Sequence, residues 1–378
     1  MNKTPAHAAI SRRVPCYDMA RAIGIMLVVL GHSLAMDTYP RALVYSFHIP
    51  LFFFISGAVM KPLPRHNRTR QRFRSTIAAE SKLLSYYIFY SFSFIIFDIV
   101  VRVLNIHQMT FVNIFWDCYQ TVVLYGINVL WFLITLALAK IITHIVDSYT
   151  SHYGTLFHLA ISIFAYLFFA TVGNIVNPLL ANGISQWISY PINALLQTCT
   201  MTPFVIMGFS LRQFIPKFIH HWRRPLPLLF IINIVCCFRF GAIDYHMLRS
   251  AFPPVSLIMA VCGIFATLGI GELIAYIYPI RTIMNWYSQH SLFIMVTHEY
   301  PLIKTFIVSP LLSLFSETAA NSITAQVITL LILEIPICAI LMPLTDICIA
   351  YCRTQWRQLT ENNGKHHASR HGVHQRIL

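Results

Sequence analysis

Charge is scarce in this sequence. Only 11% of its 378 residues are Asp, Glu, Lys or Arg, and just 13 are acidic. A water-soluble domain carries about 25% charged residues, so a soluble globular fold is excluded. Long polar stretches are missing as well: the connections between apolar runs are short and leave no room for a separate extramembrane domain. No internal repeat is visible, which argues against a transporter built from two related halves. The nine cysteines lack metal-ligand spacing, fall mostly inside apolar runs and include the adjacent pair Cys236-Cys237. They predict neither a disulfide framework nor a metal site. The histidines of the last stretch, His366, His367, His371 and His374, read as part of a polar, unstructured tail rather than a metal site.

What is present is apolar: 57% of the residues are hydrophobic. Stretches of about 20 such residues predict ten transmembrane helices, near 19–36, 43–60, 83–104, 129–147, 155–176, 191–211, 226–243, 255–278, 288–309 and 324–350. Charge tests that count. An even number of spans puts both tails on one side, and with the tails inside, 22 of the 27 Lys and Arg residues face the cytoplasm and 5 face outward. The positive-inside rule therefore predicts an all-α polytopic bundle with both termini cytoplasmic. Its parts are an N-terminal tail (1–18), one membrane domain (19–350) and a basic C-terminal tail (351–378). Arg12 and Arg13 followed by an apolar run resemble a secretory signal. Cleavage after it would leave an odd number of spans and spoil the charge asymmetry, so the segment is expected to stay.

The same asymmetry accounts for the net charge of +14. Basic loops beside a membrane serve topology and contact with anionic lipid, and nucleic-acid binding is not expected. The dense run from Lys61 to Arg74 fits that role or a cytosolic polyphosphate ligand. The outer connection 105–128, with Phe111, Trp116 and Tyr125 around Asp117, predicts an interfacial or re-entrant helix.

Polar residues inside the spans carry the functional argument, because each is costly in lipid and has to be paired or used. Arg21 and His32 lie on the first span with ten residues between them. Helix geometry puts them on one face, about 16 Å apart along the axis. His48 near the outer end of the second span and His298 near the middle of the ninth are able to meet His32 in the outer half of the bilayer. Glu299 and Glu334 are possible partners. His48 also stands where a helix-start turn before Pro50 would need it. The run Phe52-Phe53-Phe54 reads as lipid-facing and packing surface, Gly57 as a close-approach residue, and Trp131 as an interface anchor.

Arg21 with His32, FHIPLFFFISG at 47–57, LWFL at 130–133 and SLFIMVTH at 291–298 resemble the acyltransferase-3 family of integral membrane O-acyltransferases. The nearer likeness is to its fucose 4-O-acetylase-like branch. The resemblance implies transfer of an acyl group, usually acetyl, from cytoplasmic acetyl-CoA to a hydroxyl of a glycan or lipid-linked glycan at the outer face of a bacterial inner membrane. O-antigen, capsule and exopolysaccharide are the acceptors to expect. It further implies that Arg21, with Arg65, Arg68 and Lys82, holds the CoA phosphates, and that His32, helped by His48 and His298, does the chemistry. His32 is either general base on the acceptor hydroxyl or an acyl acceptor itself. Either role needs a neutral imidazole, which burial favours. No bound metal is implied. The second inner loop departs from the family pattern, with Ser85 where a proline is expected. The rival classes are a glycan-lipid flippase or polymerase without acyl chemistry, and a proton-coupled solute transporter using His32, Glu299 and Glu334.

Overall fold

The computed structural model describes residues 14–35, 38–63, 69–103, 110–181, 185–241, 243–250, 252–300, 310–311 and 322–374. Among them there is no strand, only an isolated bridge between Asp244 and Arg249. The helices are α1 (Pro15–Ser33), α2 (Tyr39–Tyr45), α3 (His48–Ala58), α4 (Thr69–Ala79), α5 (Ser81–Val103), α6 (Phe111–Val122) and α7 (Leu130–Thr150). After them come α8 (Thr155–Ala181), α9 (Gln186–Leu211), α10 (Ile215–Trp222), α11 (Leu229–Phe240), α12 (Pro253–Ile274), α13 (Tyr278–Thr297) and α14 (Ile323–His374).

Each of the ten predicted spans overlaps one of these helices or, for the second, the pair α2 and α3. Among the described residues, seven stretches are long and apolar enough to cross a membrane; α1, α11 and α13 are shorter or more polar. The all-α membrane bundle expected from composition is what the chain forms. The ninth segment is the main displacement: α13 covers Tyr278–Thr297, ten residues earlier than the hydropathy placed it. Its first half holds Arg281 and Asn285, which depress the average hydropathy although the helix starts there, at Pro279 in its first turn. At the other end, α14 continues through 351–374, where the sequence predicts an unstructured tail. Once a span has nucleated a helix, each further residue adds a hydrogen bond at little cost.

By its contacts the chain divides into two compact units, 1–331 and 332–378. The second consists of the greater part of α14 with its interior Pro336 and Pro343. Within the first unit α1 is central, packed on α12, α13 and α3 and buried on several faces. The periphery is lipid-like in character: α8 carries exposed Leu156, Phe164, Phe168 and Ile175.

The tightest helix crossing joins α3 to α9. A Cβ on Gly57 would sit 2.0 Å from the Val205 carbonyl oxygen, and one on Gly208 would meet the Phe54 carbonyl oxygen at 1.9 Å. The close approach expected of Gly57 is therefore present, with Gly208 as its counterpart. Phe52, Phe53 and Phe54 are all buried, two of them edge-on to Phe132 of α7. Their predicted lipid-facing role is corrected: the crossing draws α3 into the interior.

A buried ion cluster ties the middle of α7 to the junction of α4 and α5. Glu80, between α4 and α5, accepts from Lys140 Nζ at 2.6 Å and lies 3.7 Å from His144 Nε2. Burial pushes the Glu80 carboxyl up, but His144 and Lys140 outweigh it and hold the group below its ordinary value of 4.5. A depressed carboxylate stabilises the fold above its ordinary pKa and loses that contribution as pH falls through the lower, folded value. Thermal unfolding in nanodiscs is therefore expected to show wild type losing stability as pH drops below about 4.5. Glu80→Gln removes that component and costs about 3 kcal/mol at neutral pH, because Lys140 is left without its counter-charge.

Candidate active site

The site forms where the upper end of α1 meets the start of α3 and the end of α13. His32 lies in the last turn of α1. Arg21 belongs to the same uninterrupted helix, so the helical spacing read from the sequence holds throughout.

The chain breaks between α2 and α3 at Ser46-Phe47, and His48 opens the new helix. Pro50 is third in α3, among the first-turn residues whose N–H groups have no helical acceptor, so its ring costs nothing there. The helix-start reading of this string is thus realised alongside any chemical one. His48 is 2% exposed, and its Nδ1–H donates to the Val44 carbonyl at 2.8 Å. That bond fixes the tautomer and leaves Nε2 with the lone pair.

His298 follows the last residue of α13, not the middle of a span as predicted, because the helix begins ten residues early. It is 1% exposed, and its Nδ1–H likewise donates to the carbonyl one turn back, Ile294, at 2.9 Å. The helix end brings His298 and Glu299 to His32 together. The His32 and His298 rings lie edge to face with centroids 5.0 Å apart, and His32 Nδ1 is 3.9 Å from Glu299 Oε1. His32 itself is 30% exposed, so it is reachable from outside the packed bundle, whereas His48 and His298 are enclosed.

His48 is joined to this group through Tyr45, whose ring is 4.8 Å from His48 and 6.2 Å from His32. Arg41 completes the patch: it bonds the Tyr45 hydroxyl at 3.1 Å and the Leu34 carbonyl at 3.0 Å, with its guanidinium 4.5 Å from the Tyr45 ring centroid. The sequence reading passed over Arg41 and Tyr45. Their signal was the i, i+4 spacing of Arg41 and Tyr45, which puts both on one face of a helix.

The three candidate histidines and Glu299 therefore converge, while Glu334 lies in the second unit, 4.0 Å from Cys338 Sγ. Among the candidate phosphate-binding residues, Lys82 is exposed in the first turn of α5 with its ammonium 5.4 Å from the Tyr86 ring. Arg65 and Arg68 lie outside the described residues. One donor atom each from His32, His298 and Glu299 falls within 4.8 Å of the others, a spread that would suit a divalent cation. The same trio suits proton transfer, with a carboxylate 3.9 Å from one imidazole nitrogen of His32.

The comparisons with known proteins bear on the choice. A family model for an acyltransferase domain, acyltransferase-3, matches residues 14–343. Neither the curated proteins nor the solved structures give a significant match. The matched range begins just before α1 and ends inside α14, so it takes in the whole set of residues around His32. Coverage of that extent makes the chain a member of the acyltransferase-3 family, and so a membrane acyltransferase.

Proposed function

We propose that the protein moves an acetyl group from cytoplasmic acetyl-CoA to a hydroxyl of a surface or envelope glycan, free or lipid-linked, at the inner membrane of a bacterium. The observation that carries the reading is the pairing of Arg21 and His32 on one helix, with Glu299 and His298 closing on His32.

Arg21 lies toward the end that the charge asymmetry assigns to the cytoplasm. Its guanidinium suits a CoA phosphate, with Arg65, Arg68 and Lys82 as further contacts for the nucleotide end. The pantetheine arm then follows α1 toward His32. His32 takes the proton of the acceptor hydroxyl, and the freed oxygen attacks the thioester carbonyl. A C–O bond forms, the C–S bond breaks, and the proton passes from His32 to the departing CoA sulfur. Glu299, facing Nδ1, stabilises the imidazolium while it exists. The Nδ1–H bonds of His48 and His298 to backbone carbonyls fix both tautomers, so that Nε2 is the acceptor nitrogen of each ring. General-base action is favoured over an acyl-histidine because a carboxylate beside Nδ1 raises basicity at Nε2.

Membranes carrying the protein are expected to move label from [14C-acetyl]-CoA into a base-labile glycan ester, and mass spectrometry of that glycan should show an acetyl-sized increment absent from a deletion strain. Arg21→Ala is expected to raise the acetyl-CoA KM about ten- to a hundredfold, the scale of one charge-assisted contact. No base-labile label in any glycan fraction would sink the proposal.

A further inference from the structure

Beside the histidine group, a second cluster gathers residues from four separate elements. Tyr125 comes from the α6–α7 connection, Trp131 from the first turn of α7, Tyr190 from α9 and His246 from the α11–α12 connection. Tyr125 stacks on Tyr190 with centroids 4.8 Å apart and planes 17° apart. The His246 ring is 5.6 Å from Tyr125 and 4.9 Å from Trp131. Trp131 is buried at the back of this wall, which corrects its reading as an interface anchor, while Tyr125, Tyr190 and His246 are half-buried.

The α11–α12 connection is tied down at several points. Asp244 and Arg249 exchange two backbone hydrogen bonds of 2.8 Å, and Tyr245 donates to the Ser46 carbonyl at 3.3 Å. Asn174 and Asn177 of α8 bond the carbonyls of Ser250 and Met247. Among the described residues, the non-glycine positions with positive φ are Leu124, Asn128 and Leu248. All three flank Tyr125 or His246. Strained backbone of this kind persists where the surroundings impose it and concentrates at ligand sites.

Two polar side chains of α9 beside this wall carry buried acceptors without a hydrogen-bond partner among the described residues. Gln197 is fully buried and donates through Nε2 to the His246 carbonyl at 2.7 Å, yet its Oε1 has no hydrogen-bond partner among the described residues. Asn193, one turn earlier on the same face of α9, has an unpartnered Oδ1 too. Orphaned buried acceptors are costly, and a ligand rich in hydroxyl donors would satisfy them. Aromatic faces beside hydroxyl-accepting amides match a sugar ring, which is apolar across its C–H face and polar at its rim.

The cluster also adjoins the histidines. Tyr245 bonds Ser46, two residues before His48, and Asp244 is within electrostatic range of both Tyr125 and His48.

We propose that Tyr125, Tyr190 and His246, with the Gln197 amide, form the subsite for a pyranose ring of the acceptor, presenting its hydroxyl toward His32. This rests on the glycan acyl-transfer reading above and names where the glycan binds.

The test uses full-length protein in nanodiscs, [14C-acetyl]-CoA as donor, and base-deacylated envelope glycan from producing cells as acceptor. Tyr125→Ala and Tyr190→Ala are expected to raise the glycan KM about tenfold, the scale of one lost ring contact, with the acetyl-CoA KM unchanged. Tyr190→Phe should recover most of that loss. Tyr125→Leu and Tyr190→Leu keep volume but remove the aromatic face, and they decide the matter where the Ala variants do not fold. A glycan KM within twofold of wild type in the Leu variants overturns the subsite and leaves the acyl-transfer reading standing. Absence of glycan labelling by wild type removes that reading, and the subsite with it.

Discussion

His32→Ala, assayed as full-length protein in nanodiscs, is expected to lower kcat about 10²- to 10⁴-fold, the usual contribution of a positioned general base, while acetyl-CoA still binds. The separation of effects follows from the geometry. His32 is at the far end of α1 from Arg21, partly open to the outside, with Glu299 3.9 Å from Nδ1 and His298 against its ring. In the proposed mechanism the nucleotide end of the donor is held at Arg21, so the loss falls on the chemical step. Glu299→Gln should lower kcat by a smaller factor, about tenfold, since it removes a charge facing the imidazolium and not the base itself. Full activity in His32→Ala would refute the mechanism while leaving family membership intact. Activity that vanished on chelation and returned with zinc would assign the same trio to a metal.

Gly57→Val is the second large effect, and it acts on the fold. The Cβ of any side chain at 57 would lie 2.0 Å from a backbone carbonyl oxygen of α9, and at 208 it would lie 1.9 Å from one of α3. Backbone cannot rotate away as a side chain does, so the two helices must separate. Overpacking a core costs about 1–3 kcal/mol even where side chains can adjust. Here we expect at least the upper end, a fall of about 10 °C in Tm, with most of the variant lost as aggregate in size-exclusion chromatography. Because α3 also carries His48 and its Phe run, the fraction that folds should be less active. Gly208→Val should behave alike, and the double variant should be no worse than additive. A Gly57→Val protein that expressed and melted like wild type would mean that the α3–α9 crossing is looser than described.

Much of this was legible in the sequence, for reasons that can be named. The cost of charge and unpaired backbone in lipid forces long apolar helices, and each of the ten predicted spans overlaps a helix. The spacing of Arg21 and His32 is local to one helix, so geometry alone relates them. The family resemblance, carried by strings within single helices, agrees with the match over residues 14–343.

Other features depended on how helices meet. Hydropathy averages over a window, so it missed the polar first half of α13 and put His298 mid-span, where the fold has it at the helix end beside Glu299. An apolar run reads the same whether it faces lipid or protein. Only the Gly57–Gly208 crossing decides that Phe52, Phe53 and Phe54 are interior. The wall of Tyr125, Trp131, Tyr190 and His246 is assembled from residues up to 121 positions apart in the chain, and no periodicity within one segment encodes such a meeting. The sequence by itself determined the membrane class, the helices and the Arg21–His32 stripe, because those follow from solvation and local geometry. The tertiary structure decided which side chains surround His32, because that depends on where separate helices start, end and cross.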